Sequence, residues 1–154
     1  IRKFAKTKFC IMGRVLAIDY GQKRVGFAVS DPDKIIAQGL DTVHVTQAFD
    51  FIQNYISIEQ VETIVVGDPK RMDNTQSESA RFIEPFVNRL KKAFPTIPIV
   101  RIDERFTSKI AFQTMLDGGL KKKERQNKAL VDKISATVIL QSYLQQLEIE
   151  KQRN

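Results

Sequence analysis

The first third of the chain alternates short apolar runs with short polar segments, the pattern of β-strands joined by turns. Residues 14–18 are almost wholly apolar and include β-branched side chains, as in a central strand buried on both faces. Residues 24–30 predict a second strand, and residues 35–45 predict a third, less regular one. Residues 20–23 predict a tight turn in which Gly21 can take a positive φ. This part of the chain therefore predicts an antiparallel meander of three strands.

From residue 48 onward the apolar positions recur with the period of a helix, interrupted by two further strands. Residues 48–56 predict the first helix, and residues 63–67 predict a buried strand after it. A second helix is predicted over residues 77–94, with a kink or a later start because Pro85 lies inside it. Residues 98–102 predict the fifth strand.

Two more helices complete the predicted order. Thr107 is suited to cap the first of them, which runs to Leu116 and ends at Gly118 and Gly119. The last and longest helix is predicted over residues 126–147. Strands that then alternate with helices predict an α/β fold, with a mixed five-stranded sheet, right-handed crossovers and helices on both faces.

The length and composition indicate one domain. The chain has 154 residues, 42% of them hydrophobic, which is enough for one core. We assign this domain to residues 12–147, with an N-terminal extension at 1–11 expected outside the fold and a C-terminal tail at 148–154. No apolar run approaches the roughly 20 residues that a membrane-spanning helix needs. We therefore expect a soluble, cytoplasmic protein without a membrane partner.

The formal net charge of +7 favours an anionic partner such as nucleic acid. Four basic residues of this excess lie in residues 1–11, so the net charge from Met12 onward falls to +3. That segment is either an extension or a functional basic arm. The prediction of a nucleic-acid partner therefore depends on where the remaining charges lie.

The lone Cys10 and the lone His44 exclude several kinds of chemistry. A single cysteine cannot form an internal disulfide or a cysteine-based zinc site, and one histidine leaves little imidazole chemistry.

Carboxylates are placed where an α/β sheet carries its active site. Asp19 follows the first strand, Asp103 and Glu104 follow the fifth, and Asp132 lies on a mainly apolar face of the last helix. Each has a structural alternative. Asp19 suits a turn that accepts backbone N–H bonds, Asp103 and Glu104 suit a solvated strand end, and Asp132 suits the first turn of a helix.

Carboxylates without histidine or cysteine partners favour the hard cations Mg²⁺ or Mn²⁺. Two such ions about 4 Å apart can activate water and stabilise the leaving oxygen in phosphodiester cleavage. This chemistry needs no histidine.

Four motifs in a fixed order give the sequence a specific resemblance. They are Ala-Ile-Asp-Tyr-Gly-Gln-Lys-Arg-Val-Gly at 17–26, Val-Val-Gly-Asp-Pro at 65–69, Asp-Glu-Arg-Phe-Thr-Ser at 103–108 and Val-Asp-Lys-Ile-Ser-Ala at 131–136. Together they resemble the YqgF or RuvX family, also described as Holliday-junction-resolvase-like, within the ribonuclease H-like superfamily. The resemblance extends from Met12 to about Gln145 and implies a ribonuclease H-like sheet.

The resemblance also implies an activity and a set of site residues. The acidic triad of the family maps to Asp19, Glu104 and Asp132, with Asp103 as the alternative at the second position. The implied reaction is hydrolysis of phosphodiester bonds with Mg²⁺ or Mn²⁺. The implied substrate is the 5′ end of the 16S rRNA precursor, with ribosomal particles as a further partner, or branched DNA. The extra acid of richer sites in this superfamily has no clear counterpart in the sequence.

Basic residues surround the predicted site and are candidates for contacts with phosphates. They are Lys23, Arg24, Lys70, Arg71 and Arg105, together with Lys121, Lys122, Lys123 and Arg125 in the loop before the last helix. Each is alternatively an ordinary solvated charge. Tyr20 and Phe106 are candidates for stacking on bases, although Phe106 suits core packing better.

Three alternatives to an RNA-cleaving nuclease can be weighed from the sequence. A nucleic-acid-binding factor would keep the acids without catalysis and bind in a salt-sensitive way. A junction resolvase needs a stable dimer, and because no dimer face is evident we expect a monomer or a weak homodimer. An ATP-using phosphotransferase needs a second domain, for which the chain is too short.

Overall fold

The structure is a computed structural model that describes residues 12–69 and 80–153, without the side chains of residues 80, 105, 106, 108, 109 and 112. Its strands are β1 (Arg14–Tyr20), β2 (Arg24–Ser30), β3 (Ala37–His44), β4 (Val61–Asp68) and β5 (Ile99–Asp103). Its helices are α1 (Ala48–Ile58), α2 (Ala80–Ala93), α3 (Glu104–Asp117), α4 (Lys122–Arg125) and α5 (Lys128–Arg153). None of the helices in the described ranges has the length and apolar character to cross a membrane.

The five strands form one mixed sheet in the order β3-β2-β1-β4-β5. The pairs β1–β2 and β2–β3 are antiparallel, and the pairs β1–β4 and β4–β5 are parallel. The predicted meander and mixed sheet are thus confirmed. Because β1, β4 and β5 run in the same direction, the residues at their carboxyl ends meet at one edge of the sheet.

Helices cover both faces of the sheet, which explains why β1 is apolar at successive positions. Leu16 and Ile18 pack in the core that α1 and α2 close, whereas Val15 and Ala17 pack in the core on the α5 side. The first core includes Ile52, Ile64, Ile83, Val87 and Leu90, and the second includes Val65, Ile102, Ala136, Ile139 and Leu140.

The prediction of a positive φ at Gly21 is wrong. Among the described glycines only Gly119 lies in the left-handed region, with φ of 74°. Gly21 is required for a different reason, since a Cβ there would lie 2.6 Å from the carbonyl oxygen of Arg24. The Gly21 N–H donates to that same oxygen at 2.9 Å and closes the turn.

The predicted cap at Thr107 is also wrong, because α3 begins directly after β5 at Glu104. Thr107 is buried within the helix, and its hydroxyl donates to the carbonyl oxygen of Glu104 at 3.3 Å. The helix therefore begins at the edge where β5 ends, which places Glu104 beside the other strand-end acids.

The predicted end of α3 at the glycine pair is confirmed. The Gly119 N–H donates to the carbonyl oxygen of Leu116 at 3.0 Å, and the Leu120 N–H donates to that of Met115 at 3.1 Å. This is a Schellman motif, and the positive φ of Gly119 is the conformation it needs.

The last helix begins and ends later than predicted. The Asn127 side chain accepts the Leu130 N–H at 3.3 Å, so α5 begins after Asn127. It continues to Arg153, so the predicted tail at 148–154 is helical through Arg153. The loop predicted before this helix contains the short helix α4. The predicted start of α2 at residue 77 lies outside the described residues, and Pro85 lies within the helix.

Candidate active site

Three predicted acids come together at the carboxyl edge of β1, β4 and β5. Asp19 is the penultimate residue of β1, Glu104 is the first residue of α3, and Asp132 lies in the second turn of α5. The carboxyl groups of Asp19 and Glu104 are joined by a hydrogen bond, and the negative charge of Asp132 acts on Asp19. The alternative of a first-turn acid does not apply to Asp132, because the first turn of α5 holds none.

Two glycines in the strands beside β1 make room for this arrangement. Gly26 of β2 pairs with Asp19, and a Cβ at Gly26 would overlap the backbone carbonyl oxygen of Asp132. In β4, a Cβ at Gly67 would overlap Oε1 of Glu104. Each glycine therefore lets one further acid approach Asp19. The sequence showed both glycines but not what lies against them.

The acids are held in an environment that opposes their ionisation. The pKa of Asp19 is raised to about 6: burial is the main cause, the hydrogen bond with Glu104 opposes it, and the charge of Asp132 adds to it. Burial also raises the pKa of Glu104 to about 8, with added contributions from Asp19 and from the charge of Asp68, opposed by Arg101. At neutral pH the pair therefore holds one shared proton in the absence of a cation.

Asp31 shows what an acid with a purely structural role looks like in the same chain. It follows β2, and its Oδ1 accepts the N–H groups of Ile35 and Ile36, both at 2.8 Å. The hydrogen bond from Ile36 is the main cause that lowers the pKa of Asp31. The pKa of Asp19 is shifted in the opposite direction. A turn residue that only accepts backbone bonds would not behave in this way.

Raising the pH is expected to destabilise the metal-free protein. The pKa of Glu104 in the folded chain is about 8, above its ordinary value of 4.5. The stability that its proton contributes is complete below about pH 4.5 and lost as the pH rises through about 8. We expect the free energy of unfolding in EDTA to fall by about 5 kcal/mol over this range, measured by chemical denaturation. Glu104→Gln should show a much smaller fall, and an equal fall in both proteins would contradict the assignment.

Asp132 has a second partner beside the acid pair. Nε of Arg24 donates to Oδ2 of Asp132 at 3.0 Å, and the two side chains are partly exposed. The contact joins the first residue of β2 to α5 across the sheet edge. Arg24 was predicted to contact phosphates, and in the structure it holds one of the candidate metal ligands.

A further acid at this edge was missed in the sequence. Asp68 is the last residue of β4, is paired in register with Asp103, and its charge contributes to the raised pKa of Glu104. Arg101 donates to Oδ1 of Asp68 at 3.4 Å and to Oε1 of Glu84 at 2.7 Å. Asp68 comes at the end of an apolar run, as Asp19 does, so its position in the sequence was a signal that could have revealed it.

The donor set suits a hard divalent cation, although its third member is paired with Arg24. Among the residues that the structure describes, no three acidic, histidine or cysteine side chains already surround a point where an ion could bind. Asp19 and Glu104 offer carboxylate oxygens in contact with each other, and Asp132 is held by Arg24. A cation that displaces the shared proton would relieve the repulsion between the buried carboxylates. The residues therefore fit Mg²⁺ or Mn²⁺.

The other residues predicted to contact nucleic acid differ in exposure, and some of them lie outside the described part of the chain. Lys23 is exposed in the turn after β1, and the basic residues of the α4 region, Lys121, Lys122 and Lys123, are exposed with Arg125 half-buried. Lys70 and Arg71 lie outside the described residues, as do the side chains of Arg105 and Phe106.

Tyr20 packs within the protein. Its ring stacks on Phe86 of α2, with ring centroids 4.4 Å apart. It is one of the partly buried residues around the α1 and α2 core. Base stacking by Tyr20 is therefore not favoured.

Comparison with known proteins gives a consistent result. Residues 13–146 match the RuvX family, described as Holliday junction resolvase. The chain is 63% identical over 134 residues to a Phocaeicola vulgatus protein, covering 87% of this chain and 96% of that protein. It is 60% identical to a Bacteroides fragilis protein, covering 87% and 97%. Both are named as candidate pre-16S rRNA nucleases.

A solved structure supports the fold independently. RuvC of T. thermophilus, in complex with a Holliday junction substrate, aligns with a TM-score of 0.50 at 15% sequence identity. The alignment covers 82% of this chain and 92% of RuvC. At this identity the likeness concerns the fold alone, and it confirms the ribonuclease H-like sheet predicted from the sequence.

Proposed function

The chain belongs to the RuvX family, and from this premise we propose that it is a divalent-metal-dependent nuclease that processes the 5′ end of the 16S rRNA precursor. It is a hydrolase that acts on phosphodiester bonds, since the family and the relatives it matches are resolvases and nucleases. The observation that carries the metal dependence is the contact between the carboxyl groups of Asp19 and Glu104, with Asp132 beside them.

The roles of the residues follow from their positions. Asp19, Glu104 and Asp132 would hold Mg²⁺ or Mn²⁺, with Asp103 as the alternative to Glu104. When bound, the ion would supply a Lewis acid that activates water and stabilises the leaving oxygen. Glu104 must lose the shared proton before it can bind a cation, so metal affinity should rise with pH up to about 8.

The exposed basic residues would position the nucleic acid. Lys23 lies in the turn that follows β1, shortly after Asp19 in the sequence. Lys121, Lys122 and Lys123 precede the helix that carries Asp132. Ammonium groups at such positions bind phosphates without reading the sequence of bases. Substrate choice would then depend on the shape of the precursor, or on a ribosomal particle that presents it in the cytoplasm.

RNA is the favoured substrate because the relatives at 60% identity and above are named for the 16S rRNA precursor. The family description names junction resolution, which makes branched DNA the second candidate. A resolvase must bring two active sites to one junction, whereas we predict a monomer or a weak homodimer.

A cleavage assay with two substrates tests the proposal. Purified protein is incubated with precursor 16S rRNA and with a four-way DNA junction, each with Mg²⁺, with Mn²⁺ or with EDTA. We expect cleavage of the precursor with either ion and none in EDTA. Preferential cutting of the junction would instead assign the resolvase function. Binding without cleavage of either substrate would leave a non-catalytic nucleic-acid-binding factor.

A further inference from the structure

The ion pair between Arg24 and Asp132 joins two elements that are distant in sequence. The Arg24 guanidinium extends from the start of β2, and its Nε lies 3.0 Å from Oδ2 of Asp132 on α5. Gly26, two residues along the same strand, allows the backbone of α5 to approach at Asp132. The pair is therefore set by the packing of α5 on the sheet and is not a chance meeting of long surface side chains.

The carboxylate of Asp132 therefore takes part in two interactions, one with Arg24 and one with the acid pair. Its charge acts on Asp19, so its carboxylate is near the acid pair, yet Arg24 already uses Oδ2. The described acids do not surround an ion position in this arrangement. Arg24 also has two alternative anionic partners, because a guanidinium beside a nuclease site is suited to bind a phosphate of the substrate as well as a carboxylate.

We propose that Arg24 is a positioning residue that holds Asp132 away from the metal until a substrate phosphate takes the place of the carboxylate. The inference rests on the proposed function, since it assumes a metal bound by Asp19, Glu104 and Asp132. On substrate binding, Arg24 exchanges one anionic partner for another, and Asp132 becomes free to bind the ion. Metal and nucleic acid therefore bind with positive coupling, and each raises the affinity for the other.

Metal affinity without nucleic acid tests the first half of the exchange. Titration calorimetry with Mn²⁺ compares wild type with Arg24→Gln and with Lys23→Gln, a neighbouring loss of one positive charge at an exposed side chain. Arg24→Gln should bind Mn²⁺ about fivefold more tightly than wild type, because Asp132 is released. Lys23→Gln should stay within about twofold of wild type.

The calorimetry separates the two proposals. Equal affinities in Arg24→Gln and Lys23→Gln would overturn the exchange and leave the metal site standing. No Mn²⁺ binding in any of the three proteins would overturn the metal site and the exchange together.

Affinity for RNA in EDTA tests the second half, without any metal. The probe is a single-stranded RNA oligonucleotide, and the proteins are wild type, Asp132→Asn, Arg24→Gln and the double variant. Asp132→Asn frees the guanidinium and should raise RNA affinity about fivefold, but only when Arg24 is present. The same gain in the Arg24→Gln background would mean that Asp132 acts only as a repulsive charge, and would overturn the exchange.

Discussion

Replacing Asp19 with asparagine is expected to abolish metal-dependent cleavage, with a loss of about a thousandfold or more. Asparagine keeps the shape of the side chain but removes the charge that holds the cation. In EDTA the same variant should be more stable than wild type by about 1–2 kcal/mol, because an ionised carboxylate no longer faces Glu104 and Asp132. Cleavage rates with Mn²⁺ and denaturation in EDTA measure the two effects.

Asp31→Asn is the matched control for this substitution. Asp31 lies directly after β2, as Asp19 lies near the end of β1, but its carboxylate accepts the N–H groups of Ile35 and Ile36. Its replacement should retain cleavage and lower stability slightly, the reverse of the pattern expected at Asp19. If Asp19→Asn kept full activity, or behaved like Asp31→Asn in both assays, Asp19 would be a turn residue.

Gly26→Ala is expected to have the largest effect on stability of any single methyl addition at the site. The new Cβ would overlap the backbone carbonyl oxygen of Asp132, and a backbone atom cannot rotate away as the end of a side chain can. Helix α5 must then move off the sheet, at a loss of about 3 kcal/mol in unfolding free energy. Urea denaturation measures the loss.

Gly118→Ala is the control for a glycine without such a neighbour. A Cβ at Gly118 would lie 3.3 Å from the carbonyl oxygen of Thr114 at the end of α3, far from the acids. Its unfolding free energy should change by about 1 kcal/mol or less, with metal affinity unchanged. Equal losses in the two variants would mean that the approach of α5 to Gly26 does not limit the packing.

The five strands, and which of them run parallel or antiparallel, could be predicted because the sequence patterns that indicate them are local. An unbroken apolar run marks β1 as central, and the acid that directly follows it is visible in the sequence without any knowledge of distant contacts. The same reasoning placed Glu104 correctly at the edge, although it assigned the start of α3 to Thr107. A hydroxyl residue is a good cap, but here the helix follows β5 without a loop, and Thr107 lies one turn inside it.

Contacts between distant residues that no motif of the family indicates could not be predicted. Arg24 and Asp132 are separated by 108 positions, and their pairing exists only because α5 packs against β2. The reason for each glycine was hidden in the same way, since the atom against Gly26 belongs to another element.

The end of α5 was missed for a local reason. Beyond residue 147 the side chains are mostly exposed, so the apolar period stops although the helix continues to Arg153.

Direct location of the ion gives the most decisive test of the metal site. A crystal saturated with Mn²⁺ is measured at the manganese absorption edge, and the anomalous difference map marks the ion. We expect a peak at the carboxyl edge of β1, bonded to Asp19 and Glu104 at about 2.1–2.2 Å, since hard cations bind carboxylate oxygens at about this distance. Full Mn²⁺ saturation without a peak at these two carboxylates would contradict the site.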